Sequence, residues 1–179
     1  MSSPVHFGIA RWPSPLGEIV LVHDDAGRLR VLDFGDYDAR MHRQLRLHYG
    51  LVELIPKAAP KHITTPLSAY FKGDLDALDA IRVETGGTVF QRSVWAALRH
   101  IPSGTTTTYG ALATAIDAPK AVRAVGLANG ANPIAIVVPC HRVIGANGSL
   151  TGFGGGLHRK QWLLEHEGVL ASEDQLVLC

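Results

Sequence analysis

Cysteine is scarce in this chain, which holds only Cys140 and Cys179 among its 179 residues. A disulfide scaffold is therefore excluded as the source of stability, and the low count favours a reducing compartment such as the cytoplasm. No apolar run is long enough to span a bilayer, so we expect no membrane association. The opening MSSPVHFGIA lacks the basic and apolar regions of a secretory signal, which also favours a cytoplasmic protein.

The chain also has little net charge, because 17 basic residues face 16 acidic ones. The charges are unevenly distributed, since residues 90–168 hold seven basic and three acidic side chains. A mildly basic second half is compatible with a nucleic-acid surface but does not establish one. The hydrophobic content of 46% is enough for one large domain or two small ones.

The first half has the pattern of a small α/β scaffold. The turn signals PSPLG and DDAG separate three short predicted strands, over 7–12, 18–23 and 29–33. Asp36 is expected to cap a helix over 40–47. Thr65 is the expected cap of a second helix, with Pro66 as its first residue. A further strand is predicted over 79–84.

The second half is mostly helical by its pattern. Two glycines in ETGGTVF end the preceding pattern, so we predict one domain over 1–86 and another over 87–179. Thr88 is the expected cap of the first helix and Thr108 that of a helix in YGALATAI. KAVRAVGLANG is predicted to follow as a helix with a glycine C-cap. Two short helices joined by a tight turn resemble a helix-turn-helix, although such pairs are also common in helical cores.

The second helix of this pair carries unusually small side chains. Five of its positions are alanine or glycine: Ala121, Ala124, Gly126, Ala128 and Gly130. Arg123 is its longest projection. A helix of low relief can approach a DNA groove closely, and an arginine can reach from it into the base stack.

A cysteine follows a run of aliphatic residues in NPIAIVVPCHRVIG, residues 132–145. The valine and isoleucine content predicts a buried strand that ends at Cys140 and His141. Cys140 is then either an inert member of the core or a nucleophile. Neighbouring side chains of a strand point to opposite faces, so a bridging water would have to carry a proton between the thiol and the imidazole.

Three other kinds of site compete for these residues. A zinc site is disfavoured because the histidines near Cys140 are irregularly spaced and a second thiolate pair is missing, so we expect no metal. The glycines of GSLTGFGGGLHRKQW fail the GxGxxG pattern, so we expect no nucleotide cofactor. A cysteine hydrolase needs a thiolate, a base and an acid, which Cys140, His141 and Glu167 could supply. Glu167 ends a helix predicted over 157–167, where the helix dipole disfavours a carboxylate.

These segments together resemble the O6-alkylguanine-DNA alkyltransferases, also called methylated-DNA–protein-cysteine methyltransferases. PCHRVIG, with NPIAIVV before it and RKQWLLEHEG after it, is similar to the active-site region of that family. GTVFQRSVWAALRHIPSGTTTTYGALA and PKAVRAVGLANG are similar to its preceding helices, in the same order. The resemblance is close over residues 87–168 and looser over SPLGEIVLV. It implies a ribonuclease-H-like α/β amino-terminal domain with a small antiparallel sheet, followed by a mostly helical domain with a helix-turn-helix.

The resemblance implies a role for each residue of the active site. Cys140 attacks the alkyl carbon of a flipped O6-alkylguanine, or of O4-alkylthymine, and keeps the alkyl group. His141 takes the thiol proton through a water, and Glu167 holds His141. Asn132 corresponds to a hinge between the helix-turn-helix and the active site, and Tyr109 crowds the phosphate of the flipped nucleotide.

The resemblance also implies how DNA is bound. Arg123 fills the gap left by the flipped base, and the small-residue helix with Ala121, Ala124 and Gly126 lies in the minor groove. The implied partner is double-stranded DNA containing O6-alkylguanine, bound by a monomer without a cofactor.

The implied pocket wall departs from the family pattern at Phe153, Gly154 and Ala135. Many relatives have tyrosine and serine at the first two positions, and some have proline at the third. A stand-alone bacterial type is implied, since no fused phosphotriester-repair domain fits in the chain. The alternative is a non-catalytic alkylated-base binding protein, but such proteins replace the acceptor cysteine, which is present here as Cys140.

Overall fold

The computed structural model describes residues 2–170, and its backbone divides into two units. The first unit holds the chain up to Arg92 together with Pro133–Val137. The second holds Ser93–Asn132 and the described chain from Val138 to Leu170. Cys179 and the acidic tail lie outside the described residues. No helix within residues 2–170 is long and apolar enough to cross a membrane.

Four strands form the sheet of the first unit: β1 Val5–Ser14, β2 Gly17–His23, β3 Leu29–Phe34 and β4 Val52–Pro56. Their order across the sheet is β3-β2-β1-β4, with β4 parallel to β1 and the other pairs antiparallel. β2 is buried without interruption from Ile19 to His23, as expected for a central strand covered on both faces. The hairpin before it turns at Gly17, whose φ of 96° favours glycine.

Two helices belong to this unit, α1 Asp38–Tyr49 and α2 Lys61–Phe71. α1 buries Met41 and Leu45, one turn apart, in a cluster with Phe7 and Val20 of the sheet. The helix predicted over 40–47 is therefore confirmed, and its apolar face packs on the sheet. Asp36 does not cap it, because Asp36 lies in a short 3₁₀ turn before the helix, which begins without a side-chain cap.

Pro66 lies inside α2 and not at its start, so the prediction of Thr65 as the cap is wrong. The helix begins one turn earlier because Ile63 shares a buried face with Leu67 and Tyr70. The free energy gained by burying Ile63 offsets the cost of losing the backbone hydrogen bond that a proline inside a helix removes.

The strand predicted over 79–84 is also wrong. Ala77–Ala80 is a 3₁₀ turn, and Val83 makes only an isolated bridge to Leu29. The fourth strand of the sheet is instead β4, which sequence analysis missed. Two of its residues are partly buried, the other three are exposed, and it ends in Pro56. These are features of an edge strand, which gives a weak alternating pattern.

Four helices and a short strand pair follow along the chain: α3 Val89–Leu98, α4 Tyr109–Ala115, α5 Val122–Gly130, α6 Leu157–His166, β5 Thr107–Thr108 and β6 Val143–Ile144. They lie in the second unit except for the start of α3, because that unit begins at Ser93. The predicted cap at Thr88 is confirmed, since its hydroxyl accepts from the Gln91 N–H at 3.1 Å while its own N–H donates to that glutamine. The predicted cap at Thr108 is also confirmed, because its hydroxyl accepts from the Ala111 N–H at 3.1 Å.

The glycine C-cap predicted for α5 is wrong. Gly130 is the last helical residue, and the cap is Ala131, whose φ of −91° needs no glycine. The Ala131 N–H donates back to the carbonyls of Leu127 and Ala128, so the last turn closes without a left-handed residue. In α6, Leu163 and Leu164 are buried, whereas Trp162 is only partly buried and stacks on His166.

The aliphatic run before Cys140 is buried as predicted, but it is not a strand. Ile134 makes one bridge to Leu32, and the backbone then folds into tight turns in which Val137 and Cys140 each donate two residues back. Two prolines in the segment lack the N–H groups that a ladder needs. Ile136 has a φ of 71°, which breaks an extended chain and is a strained conformation for a β-branched residue.

Candidate active site

Cys140 opens a 3₁₀ turn, Cys140–Arg142, in the second unit. Its side chain is buried, and its carbonyl accepts from Asn129 Nδ2 at 3.5 Å. Successive side chains of a 3₁₀ helix lie about 120° apart, whereas those of a strand point to opposite faces. The expectation that Cys140 and His141 lie on opposite faces of a strand is therefore wrong, because the backbone of these residues forms a 3₁₀ turn.

His141 and Glu167 meet in the interior of the second unit. Nε2 of His141 lies 2.8 Å from Oε1 of Glu167, and both side chains are fully buried. An ionised carboxylate only accepts hydrogen bonds, so Nε2 carries the proton and Nδ1 of the neutral ring presents a lone pair. Among residues 2–170, Nδ1 of His141 has no hydrogen-bond partner.

Arg142 completes this cluster, although sequence analysis gave it no role. Its Nε donates to Oε2 of Glu167 at 2.9 Å, its Nη2 donates to Oε1 at 2.8 Å, and its Nη1 donates to the Ile101 carbonyl at 2.7 Å. A basic residue inside a buried motif must be paired, which is the signal that could have identified it.

The pKa values of this cluster follow from burial and from these contacts. Burial would raise the pKa of Glu167, but hydrogen bonds from His141 and Arg142 outweigh it and hold that pKa far below its usual range. Burial lowers the pKa of His141, with Glu167 opposing the shift and the charges of Arg142 and Lys160 adding to it. At neutral pH the cluster therefore holds an ionised carboxylate and a neutral imidazole, which can accept a proton.

Lys160 of α6 is a further buried charge that sequence analysis missed. Its Nζ donates to the Val143 carbonyl at 2.6 Å and to the Thr151 carbonyl at 2.7 Å. Burial lowers its pKa from 10.5 to about 8, while the charge of Cys140 acts to raise it. The signal for its burial was spacing, because Lys160 shares one helical face with Leu163, Leu164 and Glu167.

Tyr109 and Asn132 also lie in this unit, beside the segments that carry the cluster. The Tyr109 hydroxyl donates to the Thr151 carbonyl at 3.2 Å, the same oxygen that Lys160 binds. Asn132 Nδ2 donates to the Val138 carbonyl at 2.8 Å, two residues before Cys140. The roles predicted for the two residues stay predictions.

The outer face of α5 is exposed, as an interface with DNA requires. Arg123 and Ala124 are exposed on it, and Leu127 is 72% exposed. The inner face is fixed by Trp95, whose Nε1 donates to the Ala128 carbonyl at 2.8 Å. Ala121 is the N-cap of the helix and Gly126 is partly exposed.

The three residues of the predicted pocket wall occupy different places. Phe153 is half-buried and Gly154 is exposed in the loop before α6. Ala135 belongs to the first unit, where its N–H donates to the Leu32 carbonyl at 3.0 Å. Their contribution to a pocket stays a prediction.

Both parts of the chain match models of one protein family. Residues 9–85 match the ribonuclease-like domain of 6-O-methylguanine DNA methyltransferase, and residues 89–169 match its DNA-binding domain. The methylated-DNA–protein-cysteine methyltransferase of Salmonella typhimurium is 50% identical over 159 residues, which are 88% of this chain and 93% of that protein. The protein of the same name from Methanosarcina acetivorans is 46% identical over 159 residues, 89% of this chain and 97% of that protein.

Solved structures agree with this assignment. Mycobacterium tuberculosis OGT in complex with DNA is 42% identical with a TM-score of 0.74, covering 98% of this chain and 100% of that one. The O6-methylguanine-DNA methyltransferase of the archaeon Pyrococcus kodakaraensis is 26% identical with a TM-score of 0.61, covering 91% and 99%. The predicted fold class, an α/β amino-terminal part before a mostly helical part, is confirmed. The expectation of an antiparallel sheet is wrong in one respect, because β4 pairs parallel to β1 and the sheet is mixed. The chain belongs to the methylated-DNA–protein-cysteine methyltransferase family.

Proposed function

We propose that this protein repairs DNA by transferring the alkyl group of O6-alkylguanine directly and irreversibly to Cys140. The observation that carries the proposal is the buried turn in which Cys140 precedes an imidazole oriented by Glu167 at 2.8 Å. The names of the relatives support transfer to a protein cysteine, and the DNA complex of the M. tuberculosis protein supports binding to DNA.

The first step is loss of the thiol proton. The thiolate is the reactive form of cysteine and needs activation near neutral pH. The lone pair on His141 Nδ1 accepts the proton of Cys140 through a water, and the imidazolium that forms stays paired with Glu167. Arg142 keeps that carboxylate ionised, so the negative charge is in place before the proton arrives.

The second step is displacement at a saturated carbon. The thiolate of Cys140 forms a bond to the alkyl carbon while the bond from that carbon to O6 breaks and its electron pair passes to the base. The base takes up a proton and becomes guanine, and Cys140 becomes a thioether. The same chemistry applies to O4-alkylthymine. A thioether has no carbonyl for water to attack, so each protein molecule reacts once.

Docking on DNA follows from the exposed face of α5. The target atom lies inside a stacked duplex, so the base must be flipped out at a cost of roughly a few kcal/mol. Arg123 enters the gap, and the small residues Ala121, Ala124 and Gly126 let α5 approach the minor groove. Tyr109 contacts the flipped nucleotide, and the protein acts as a monomer in the cytoplasm.

A non-catalytic binder of alkylated bases is the alternative function. It would need the exposed face of α5 but neither the thiol nor a buried relay. The buried thiol of Cys140 favours transfer over binding alone, because a protein that only binds an alkylated base needs no acceptor.

Peptide mapping after incubation with duplex DNA containing O6-methylguanine tests the proposal. One methyl mass is expected on the peptide that holds Cys140. Cys140→Ala should bind the duplex but accept no methyl group, whereas the control Cys179→Ala should react like the wild type. Transfer that persists in Cys140→Ala contradicts the proposed acceptor.

A further inference from the structure

A lysine with no exposed surface lies on α6 in the second unit. Lys160 is 0% exposed, although lysine is almost never fully buried unless it is paired. Among residues 2–170 no carboxylate forms an ion pair with it. Its ammonium is instead held by two backbone carbonyls, which are dipoles and carry no full negative charge. The mechanism above gives this buried charge no part.

The two carbonyls stand on either side of one loop. Val143 belongs to β6 and Thr151 follows the turn at 145–149, so a single ammonium joins both ends of residues 144–150. The Tyr109 hydroxyl donates to the same Thr151 carbonyl. Lys160 therefore fixes the loop at the point where Tyr109 meets it.

Lys160 is bonded to the turn that carries Cys140, because Val143, whose carbonyl accepts from Nζ, donates its N–H to the Cys140 carbonyl. In this position the charge of Cys140 acts to raise the pKa of Lys160. The ammonium in turn disfavours a charge on His141, as does Arg142. Glu167 is already bonded to His141 and Arg142, so its charge is compensated within that cluster. A thiolate on Cys140 is the remaining negative charge that can balance the ammonium.

We propose that Lys160 is a positioning residue for the acceptor cysteine, whose buried ammonium stabilises the thiolate of Cys140 and clamps the loop 144–150 against Tyr109. The proposal rests on the proposed function, since it explains how the acceptor thiol is kept reactive. Removing the charge should leave Cys140 in place but protonated at neutral pH.

Titration of the Cys140 thiol without DNA tests the charge. The experiment uses Cys179→Ser as the background, so that thiolate absorbance reports one cysteine. Lys160→Met should raise the thiol midpoint by about one pH unit or more, the usual effect of losing an opposite charge nearby. Arg159→Met is the matched control, because Arg159 is a buried base of the same helix that donates to the Gly155 carbonyl. The thiol midpoint of Arg159→Met should stay at the wild-type value.

A folded Lys160→Met with the wild-type midpoint overturns the proposal, as does an equal shift in Arg159→Met. A reciprocal measurement covers the case in which Lys160→Met does not fold. By linkage, the thiolate must raise the titration midpoint of Lys160 as much as Lys160 lowers that of the thiol. Nitrogen NMR of the Lys160 Nζ should therefore show a lower midpoint in Cys140→Ala than in the wild type, and an unchanged midpoint overturns the proposal.

Single-turnover rates separate this proposal from the proposed function. Wild-type protein should accept one methyl group from duplex DNA. At a pH below both thiol midpoints, Lys160→Met should react at least about tenfold more slowly with free O6-benzylguanine, since one pH unit of midpoint is there one decade of thiolate. The slow rate should recover as the pH rises past the new midpoint. A rate that stays low at high pH contradicts the charge role, while absence of transfer in the wild type contradicts the proposed function alone.

Discussion

At the scale of single residues, the second unit buries several charged or ionisable side chains around one cysteine. Cys140, His141 and Glu167 could be assigned from the sequence because their motif carries them together. Local signals for the burial of Arg142 and Lys160 exist, but their partners could not be assigned, since nothing in the order of residues says that an arginine will pair with a glutamate 25 positions away. The pairing of a buried charge depends on long-range packing.

Glu167→Gln should lower the stability of the protein, because it leaves Arg142 buried without its carboxylate. Removing one partner of a buried ion pair typically costs about 3–5 kcal/mol. Alkylation should also slow by about tenfold or more, since His141 loses the group that orients it. Urea unfolding and single-turnover kinetics measure the two effects. The matched control is Glu165→Gln, because the carboxylate of Glu165 accepts from Gln161 on the helix surface.

The difference in stability between the wild type and Glu167→Gln should depend on pH in a defined direction. The pKa of Glu167 is held far below its usual range, so the ion pairs contribute fully above the unfolded carboxyl pKa of about 4.3. Their contribution is lost as the pH falls from there toward the folded pKa. The stability gap between the wild type and Glu167→Gln should therefore narrow from pH 5 downward. A gap that stays constant to about pH 3 contradicts the role of the ionised carboxylate.

At the scale of elements, capping residues were predictable and strand assignments were less so. Thr88 and Thr108 act through neighbours three residues away, so a local pattern is sufficient to identify them. The aliphatic run 132–145 satisfies every composition rule for a strand, yet Ile136 takes a positive φ and the chain turns. That conformation is imposed by the surrounding fold and is not visible in a window of sequence.

Arg123→Ala tests the proposed use of α5. Repair of duplex DNA should fall by about tenfold or more, as expected when about 1.4 kcal/mol of gap-filling contact is lost. Reaction with free O6-benzylguanine should be unchanged, because a free base leaves no gap. Arg43→Ala, which removes an exposed arginine of α1, is the matched control. Equal losses on duplex and free base would remove Arg123 from this role.

At the scale of the whole molecule, the family models and the backbone agree that the chain has two parts. The match to the first family model ends at residue 85, and the match to the second begins at residue 89. In the backbone, the long first segment of the first unit ends at Arg92. The sequence boundary at 86 stays a prediction, and it did not anticipate that Pro133–Val137 belongs to the first unit. A segment that pairs with a strand a hundred residues earlier, as Ile134 does with Leu32, leaves no local signal.

The most direct test of the account is the number of alkyl groups that one protein molecule accepts. Limiting protein is mixed with excess duplex containing O6-methylguanine, and repaired guanine is followed for hours. We predict a plateau at one repaired base per active protein, with the methyl group on Cys140 and none on Cys179. Product that keeps rising well past one equivalent would contradict irreversible transfer to a single acceptor.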